Sequence, residues 1–276
     1  MPVLTTEKLS AAVGAWVDGV DRERMLSDDG LPELVLDALE ANGVLVFRGV
    51  HLDDAAQVAF SRKLGRVEVL GRGDFPEIFR VTLDPAKNPA ASYLKGTFDW
   101  HIDGMTEDVP IMATMLAAHA VAASGGETEF ASTYGAYDAL SDDEKERFES
   151  VRVVHTFEQA QVRSHPNATE EERARWRQRP PKVHPLVWRH RSGRKSLVLG
   201  ATAAEVVGMD PDEGRALLDG LLARSTTPER VYRHEWEVGD VVIWDNRGVL
   251  HRACPYDPTS PRDMHRTTFA GDEPVQ

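Results

Sequence analysis

From about Ile111 onward the chain is broken into short apolar runs: IMATMLAAHAV, ETEFAS, VRVVHTF, HPLVWRH, KSLVLG, RVYRHEW, DVVIW and HRTTFAG, separated by Gly, Pro, Asp and Ser. Runs of this length, bounded by turn-forming residues, are strands rather than helices. Many short strands in one chain bury their faces only by stacking or curling, which restricts the fold to a β-sandwich or jelly roll with a few helices packed outside. The clearest hairpin is HPLVWRH and KSLVLG, joined by RSGR.

Helices cluster before that point. LPELVLDALEANG, Leu31 to Gly43, has apolar residues at helical spacing and a glycine at its end, and VLVFRG follows as a short buried strand. DDAAQVAFSRKLG, from Asp53 to Gly65, repeats the design with acidic residues at its start, and a strand-like IFRVT follows. Two helical interruptions fall among the later strands. MDPDEGRALLDGLLARS presents Leu217, Leu218, Leu221 and Leu222 on one face and is structural. ATEEERARWRQRPP lies in a polar insertion over 158–182, a candidate active-site lid, because long insertions in compact domains are often functional.

At 276 residues and 41% hydrophobic content the chain suits one large domain over 1–276. A net charge of -13 would repel a phosphate backbone, so a nucleic-acid partner is not expected. No apolar run reaches membrane-spanning length, and the N-terminal segment lacks the order of a secretory signal. A lone cysteine, Cys254, forms no internal disulfide. These features describe a cytoplasmic protein without a membrane partner.

The chemistry-bearing residues begin at FDWHIDG. His101 and Asp103 are two apart, so in an extended strand an imidazole and a carboxylate share one face and can approach one cation. A second histidine, His251, follows a buried strand and turn in VVIWDNRGVLHRA. Two histidines and one carboxylate on one face of an octahedron leave three open positions, the arrangement of non-haem iron(II) oxygenases; zinc favours closed tetrahedral sites.

In this order, His101 and Asp103, Thr128 in GGETEF, His251, and Arg262 in SPRDMHRTTFAGD, the residues resemble the iron(II)- and 2-oxoglutarate-dependent dioxygenases of the taurine dioxygenase / 2,4-dichlorophenoxyacetate dioxygenase family. WHIDG, SGGETEFAST, HPLV, GDVVIWDNRGVLHRA and MHRTTFAGD are similar to family segments in the family's order, from about Trp100 to Asp272. The resemblance implies a double-stranded β-helix, or jelly-roll, core with His101, Asp103 and His251 as iron(II) ligands. It implies that Arg262 and Thr128 hold the distal carboxylate of 2-oxoglutarate, a task suited to a planar guanidinium. It further implies that O2 is consumed, that succinate and CO2 are released, and that a small, anionic substrate is oxidised, with hydroxylation the default. Asp103 stands where halogenating relatives carry a small residue, which disfavours halogenation. Family members are commonly homo-oligomers.

Arg266 matches a family arginine that can meet an anionic substrate group, although a neighbouring acid could also take it. Thr97, four before the first ligand, and a 67–79 segment without histidine differ from the polar groups of taurine-specific relatives, which argues against taurine. His155, His184 and His265 lie on strand-like segments and read as hydrogen-bonded core residues. Trp244, Asp245 and Asn246 read as stabilisers of the turn before His251, Trp100 as packing, and Cys254 as a buried, inert thiol. A metal-binding jelly roll without redox turnover is the competing reading; it has no use for Thr128 and Arg262.

Overall fold

In the computed structural model, which describes residues 4–276, the strands are β1 (Thr5–Lys8), β2 (Ala15–Asp18), β3 (Val44–Phe47), β4 (Phe79–Val81), β5 (Ala113–Ala120), β6 (Thr128–Ser132), β7 (Arg152–His155), β8 (Lys182–Pro185), β9 (Val187–Arg189), β10 (Lys195–Leu197), β11 (Ala203–Val206), β12 (Val231–His234), β13 (Val241–Asp245), β14 (Val249–Ala253) and β15 (Asp263–Phe269). The helices are α1 (Arg22–Ser27), α2 (Leu31–Asn42), α3 (Asp54–Leu64), α4 (Thr133–Asp138), α5 (Asp142–Phe148), α6 (Phe157–Val162), α7 (Glu170–Trp176) and α8 (Pro211–Ser225), with a 3-10 run over Ala91–Phe98.

A seven-stranded sheet runs β1-β2-β3-β13-β5-β15-β4, and a smaller sheet runs β12-β6-β14. The central strands β3, β5 and β13 are buried over nearly all their length, so the sequence shows no alternation there. The alternation exists nevertheless, between two different cores. Leu45, Phe47, Met115, Ala117, Val241 and Ile243 face Leu31, Val35, Phe60 and Leu64 of α2 and α3. Their neighbours Val44, Val46, Leu116, Val242 and Trp244 face the other way, onto Phe130 and Val249 of the small sheet. The functional residues line the edge of this second core.

A third core lies beyond the small sheet, where Ala131 and Leu250 meet Trp188, Leu186, Phe148 and the α8 residues Leu218 and Leu221. Leu217 and Leu222 are only partly buried, so the apolar face of α8 is narrower than its sequence suggests. The hairpin forms between β9 and β10, with Val187 opposite Leu197.

The two early helices are capped as their sequences require. Gly43 donates its N–H to the Leu39 carbonyl, and the Asp53 carboxylate accepts from the Ala56 N–H. Gly65 caps the second helix as expected, its N–H donating to the Ser61 carbonyl at 3.2 Å, although its extended backbone (φ 167°) does not itself require a glycine. The 158–182 insertion holds much of α6 and all of α7, whose Thr169 and Glu172 form a capping box. No described helix is long and apolar enough to cross a membrane.

Candidate active site

The turn between β13 and β14 is locked before it delivers His251. The Trp244 Nε1–H donates to Asn246 Oδ1 at 3.1 Å, and the Asn246 amide donates to Thr114 Oγ1 at 2.8 Å. Asp245 accepts from the Tyr134 hydroxyl at 3.0 Å and from Arg247 Nε at 2.8 Å. Gly248 leaves room for Tyr134: a Cβ there would lie 2.0 Å from the ring. These contacts match the stabilising role expected of Trp244, Asp245 and Asn246.

His251 and His101 are joined backbone to backbone by reciprocal N–H···O bonds of 2.9 and 3.0 Å. Behind His101 sits Gly200, at φ 112°, where a Cβ would come within 2.9 Å of the His101 Cα. Beyond His101 the backbone turns rather than continuing as a strand, which corrects the same-face argument from an extended chain. The turn nevertheless swings Asp103 between the two rings. Asp103 Oδ1 is 3.7 Å from His101 Nε2, and its Oδ2 is 3.7 Å from His251 Nε2. The ring planes are tilted by 47°. Metal bonds of about 2.0–2.2 Å at right angles place neighbouring donors about 3 Å apart, so each Asp103–imidazole pair is within about 1 Å of the spacing an ion requires.

Protonation states favour a cation. His101 Nδ1 lies 2.8 Å from the Asp99 carbonyl oxygen, an acceptor only, so that nitrogen carries the proton and Nε2 keeps its lone pair. Burial pushes His251 down to about 3 and keeps it neutral. For Asp103 burial opposes ionisation, but His251, Arg266 and His101 outweigh it and hold the carboxyl below its usual range. Its Oδ2 is buried without a hydrogen-bond partner. An orphaned carboxylate oxygen beside two imidazole lone pairs fits a divalent metal.

Thr128 and Arg262 line a small cavity with His101, His251, Leu116, Trp244 and Arg266. Arg262 is 2% exposed; its Nε donates to the Gly126 carbonyl at 3.2 Å, and its guanidinium lies over the Tyr256 ring, 4.9 Å from the ring centre; both partners are neutral. Burial lowers its pKa against the opposing pull of Glu127, and among the described residues no carboxylate lies within 4.0 Å of it. Thr128 Oγ1 accepts the Trp236 indole N–H at 3.0 Å, leaving its own proton free to donate.

Arg266 meets a neighbouring acid, one of the two readings offered for it, and also borders a cavity. Its Nη1 is 3.5 Å from Asp103 Oδ2, while its Nε is buried without a partner. It also lines a larger cavity of about 520 Å³ with Thr97, Phe79, Phe157, Gln161 and Trp176. Thr97 turns its hydroxyl to the Leu94 carbonyl at 2.7 Å. The wall contributed by Tyr93, Phe157 and Trp176 escapes sequence reasoning, since nothing in their local pattern connects them.

The remaining histidines are packed as expected. His155 Nδ1 pairs with Thr202 Oγ1 at 2.8 Å and His184 Nε2 with the Met105 carbonyl at 3.1 Å. His265 Nδ1 meets Asp54 Oδ1 at 2.5 Å and stacks on His119, a second His-His-Asp group that sequence reasoning missed. Trp100 is 8% exposed within the third core. Cys254 is half-buried rather than buried, and burial raises its pKa.

Two imidazoles, one carboxylate, a buried arginine with no carboxylate within 4.0 Å and an adjoining chamber fit a metal-dependent enzyme that takes an anionic ligand. Residues 5–268 match the family described as taurine catabolism dioxygenase TauD, TfdA family, and the chain belongs to it. It is 34% identical to the (S)-phenoxypropionate/alpha-ketoglutarate-dioxygenase of Sphingobium herbicidovorans, over 98% of this chain and 96% of that one. It is 36% identical to the alpha-ketoglutarate-dependent 2,4-dichlorophenoxyacetate dioxygenase of Cupriavidus pinatubonensis, over 95% and 96%. The crystal structure of AAD-2 in complex with Mn(II) and N-oxalylglycine superposes with a TM-score of 0.84 at 32% identity, covering 99% of this chain and 100% of that one. The protein is therefore a 2-oxoglutarate-dependent dioxygenase, an oxidoreductase that uses iron(II) and O2.

Proposed function

We propose that this dioxygenase hydroxylates a small organic anion, with His101, Asp103 and His251 as iron ligands, Arg262 and Thr128 as the 2-oxoglutarate clamp, and Arg266 and Thr97 in the substrate chamber. The observation that carries the reading is the buried Arg262. A guanidinium sealed from water among neutral partners needs an anion, and the cavity it shares with Thr128, His101 and His251 leads a dicarboxylate toward the metal ligands. The named substrates of the relatives, phenoxypropionate and 2,4-dichlorophenoxyacetate, are carboxylates, and N-oxalylglycine in the AAD-2 complex differs from 2-oxoglutarate by one NH in place of CH2.

When bound, iron(II) supplies oxygen activation coupled to decarboxylation of 2-oxoglutarate. The protein's own residues do the positioning. Arg262 grips the distal carboxylate through two parallel N–H donors and Thr128 adds a hydroxyl donor, so the cosubstrate enters in one orientation. The Trp236 indole fixes the Thr128 oxygen. Arg266 turns its free Nε–H toward an anionic substrate group, and Phe79, Leu94, Met105 and Trp176 keep water from the reacting carbon. The insertion over 158–182 covers this chamber as a lid.

The seven-stranded sheet and the β12-β6-β14 sheet, with Phe130 and Val249 packed against Leu116 and Trp244, read as the two walls of a double-stranded β-helix within a single domain over 1–276. A net charge of -13 accords with a cytoplasmic protein that has neither nucleic-acid nor membrane partners, while the homo-oligomer follows from the family's habit and not from the charge.

The test is succinate formation dependent on iron(II), 2-oxoglutarate and O2, measured for wild type and Arg262→Ala. The variant should need about 10–100 times more 2-oxoglutarate, the range of a lost charge-assisted pair. Normal cosubstrate affinity in the variant would assign the clamp to another cation.

A further inference from the structure

The large chamber is positively charged in a strongly acidic protein. Its charged lining consists of Arg266, Arg175 and Arg179 against a single carboxylate, Asp103, which belongs to the metal group. Arg266 enters from β15 beside the metal ligands; Arg175 and Arg179 enter from the insertion. Cations therefore reach the chamber from two separate elements, and the side chains that accompany them mix apolar Phe79, Leu94, Met105, Phe157 and Trp176 with polar Thr97, Thr106, Gln161 and Thr202.

The two insertion arginines are not equivalent. Arg175 is paired with Glu171 one helical turn away. Arg179 has no carboxylate within 4.0 Å among the described residues; its guanidinium instead lies 4.1 Å from the centre of the Phe157 ring. Phe157 in turn packs against Tyr93 at 6.0 Å. An arginine stacked on an aromatic face is held in place while its N–H edge stays free, which is how a guanidinium is prepared for a carboxylate, sulfate or phosphate group.

We propose that Arg179 forms a second anion subsite at the insertion end of the chamber, so that the preferred substrates are dianions: a flat apolar body with one acidic group directed to Arg266 and another to Arg179. The proposal rests on the chamber being the substrate site of the dioxygenase. It assigns Arg179 a role in substrate choice and none in the oxidation itself. A substrate with a single acid group would fill the same space but leave the Arg179 edge to water.

Two probes of nearly the same shape separate charge from size: 4-carboxyphenoxyacetate, a dianion, and 4-nitrophenoxyacetate, a monoanion. Their dissociation constants are measured by calorimetry on the full chain loaded with Mn(II) and N-oxalylglycine, and their KM and kcat by succinate formation with iron(II), 2-oxoglutarate and O2. The dianion should bind about tenfold more tightly, the scale of one charge-assisted contact near solvent. Arg179→Gln should cost the dianion about that factor in Kd and KM and the monoanion less than about twofold, and Arg179→Lys should recover part of the loss. Equal binding of the two probes, no binding of either, or a uniform loss in Arg179→Gln would overturn the subsite. Charge-selective binding without succinate formation would instead count against the dioxygenase turnover and leave the subsite standing.

Discussion

Two groups of the same composition, two histidines and an aspartate, occupy opposite faces of β15, and they differ in how their rings and carboxylate are arranged. In the first, His101 and His251 tilt by 47° around Asp103, whose oxygens stand 3.7 Å from each Nε2. In the second, His119 and His265 stack nearly parallel, 3.7 Å apart with 20° between planes, and Asp54 is already bonded to His265 Nδ1. A metal ion lies in the plane of each imidazole that binds it, and two stacked rings offer it no common point. The second group is a fastener. With Gln57 donating to the His265 carbonyl at 2.9 Å and Ser61 bonded to Thr267 at 2.8 Å, it ties α3 to β15. Identical residue types thus suit a metal ion or a structural tie according to ring orientation and to whether the carboxylate already has a partner.

The comparison breaks most visibly at Asp103. Asp103→Ala should reduce iron(II) retained after desalting from about one per chain to a trace, and turnover by more than the roughly 10–100-fold cost of losing an outer-sphere partner. Metal-free Asp103→Ala should also melt below metal-free wild type, because Arg266 Nη1, 3.5 Å from Asp103 Oδ2, loses its countercharge. Full iron content in Asp103→Ala, measured by elemental analysis, would remove Asp103 from the ligand set. His101→Ala should lose iron in the same way.

His265→Ala should differ by keeping its iron. Loss of its bond to Asp54 and of its stack on His119 should lower stability by about 1–3 kcal/mol in urea unfolding, with iron content and cosubstrate affinity retained. A second equivalent of metal in wild type that disappears in His265→Ala would erase the distinction between the two groups.

How far each group could be foreseen follows from how locally it is encoded. That His101, Asp103, Thr128, His251 and Arg262 come together was legible because each sits in a distinctive short word, even though Asp103 joins the others through a turn rather than a strand. Asp54 looked like an ordinary acidic residue in the first turn of a helix, which it also is. Only the packing of α3 on β5 and β15 gives it His119 and His265 as neighbours. The strands were found where apolar runs were continuous, as in β3, β5 and β13. The exposed TTEK of β1, and β2, which joins β3 in parallel, carry too little apolar pattern to be found. α4 was missed because TYGAYD follows a strand directly and contains a glycine, while its helix is stabilised by burial of Thr133, Tyr134, Ala136 and Tyr137.

The smallest effect distinguishes a histidine with a carboxylate partner from one without. His155 on β7 is fully buried, bonded through Nδ1 to the Thr202 hydroxyl, with Nε2 unpartnered. Burial first, and then the nearby His184, push it down to about 3. Its folded pKa lies below the unfolded value of about 6.5, so below that pH the unfolded chain takes up a proton that the folded chain refuses. The stability contributed by neutral His155 is therefore complete above about pH 6.5 and is lost as pH falls toward the folded value. Between pH 7.5 and 6 the loss should be roughly 1 kcal/mol, from a limiting slope of about 1.4 kcal/mol per pH unit. The measurement is the difference in urea midpoint between wild type and His155→Gln across that range, which cancels every other titrating group. Wild type should lose ground to the variant as the pH falls, and parallel curves would mean that His155 is protonated in the folded protein through a contact its buried Nε2 does not make in this structure.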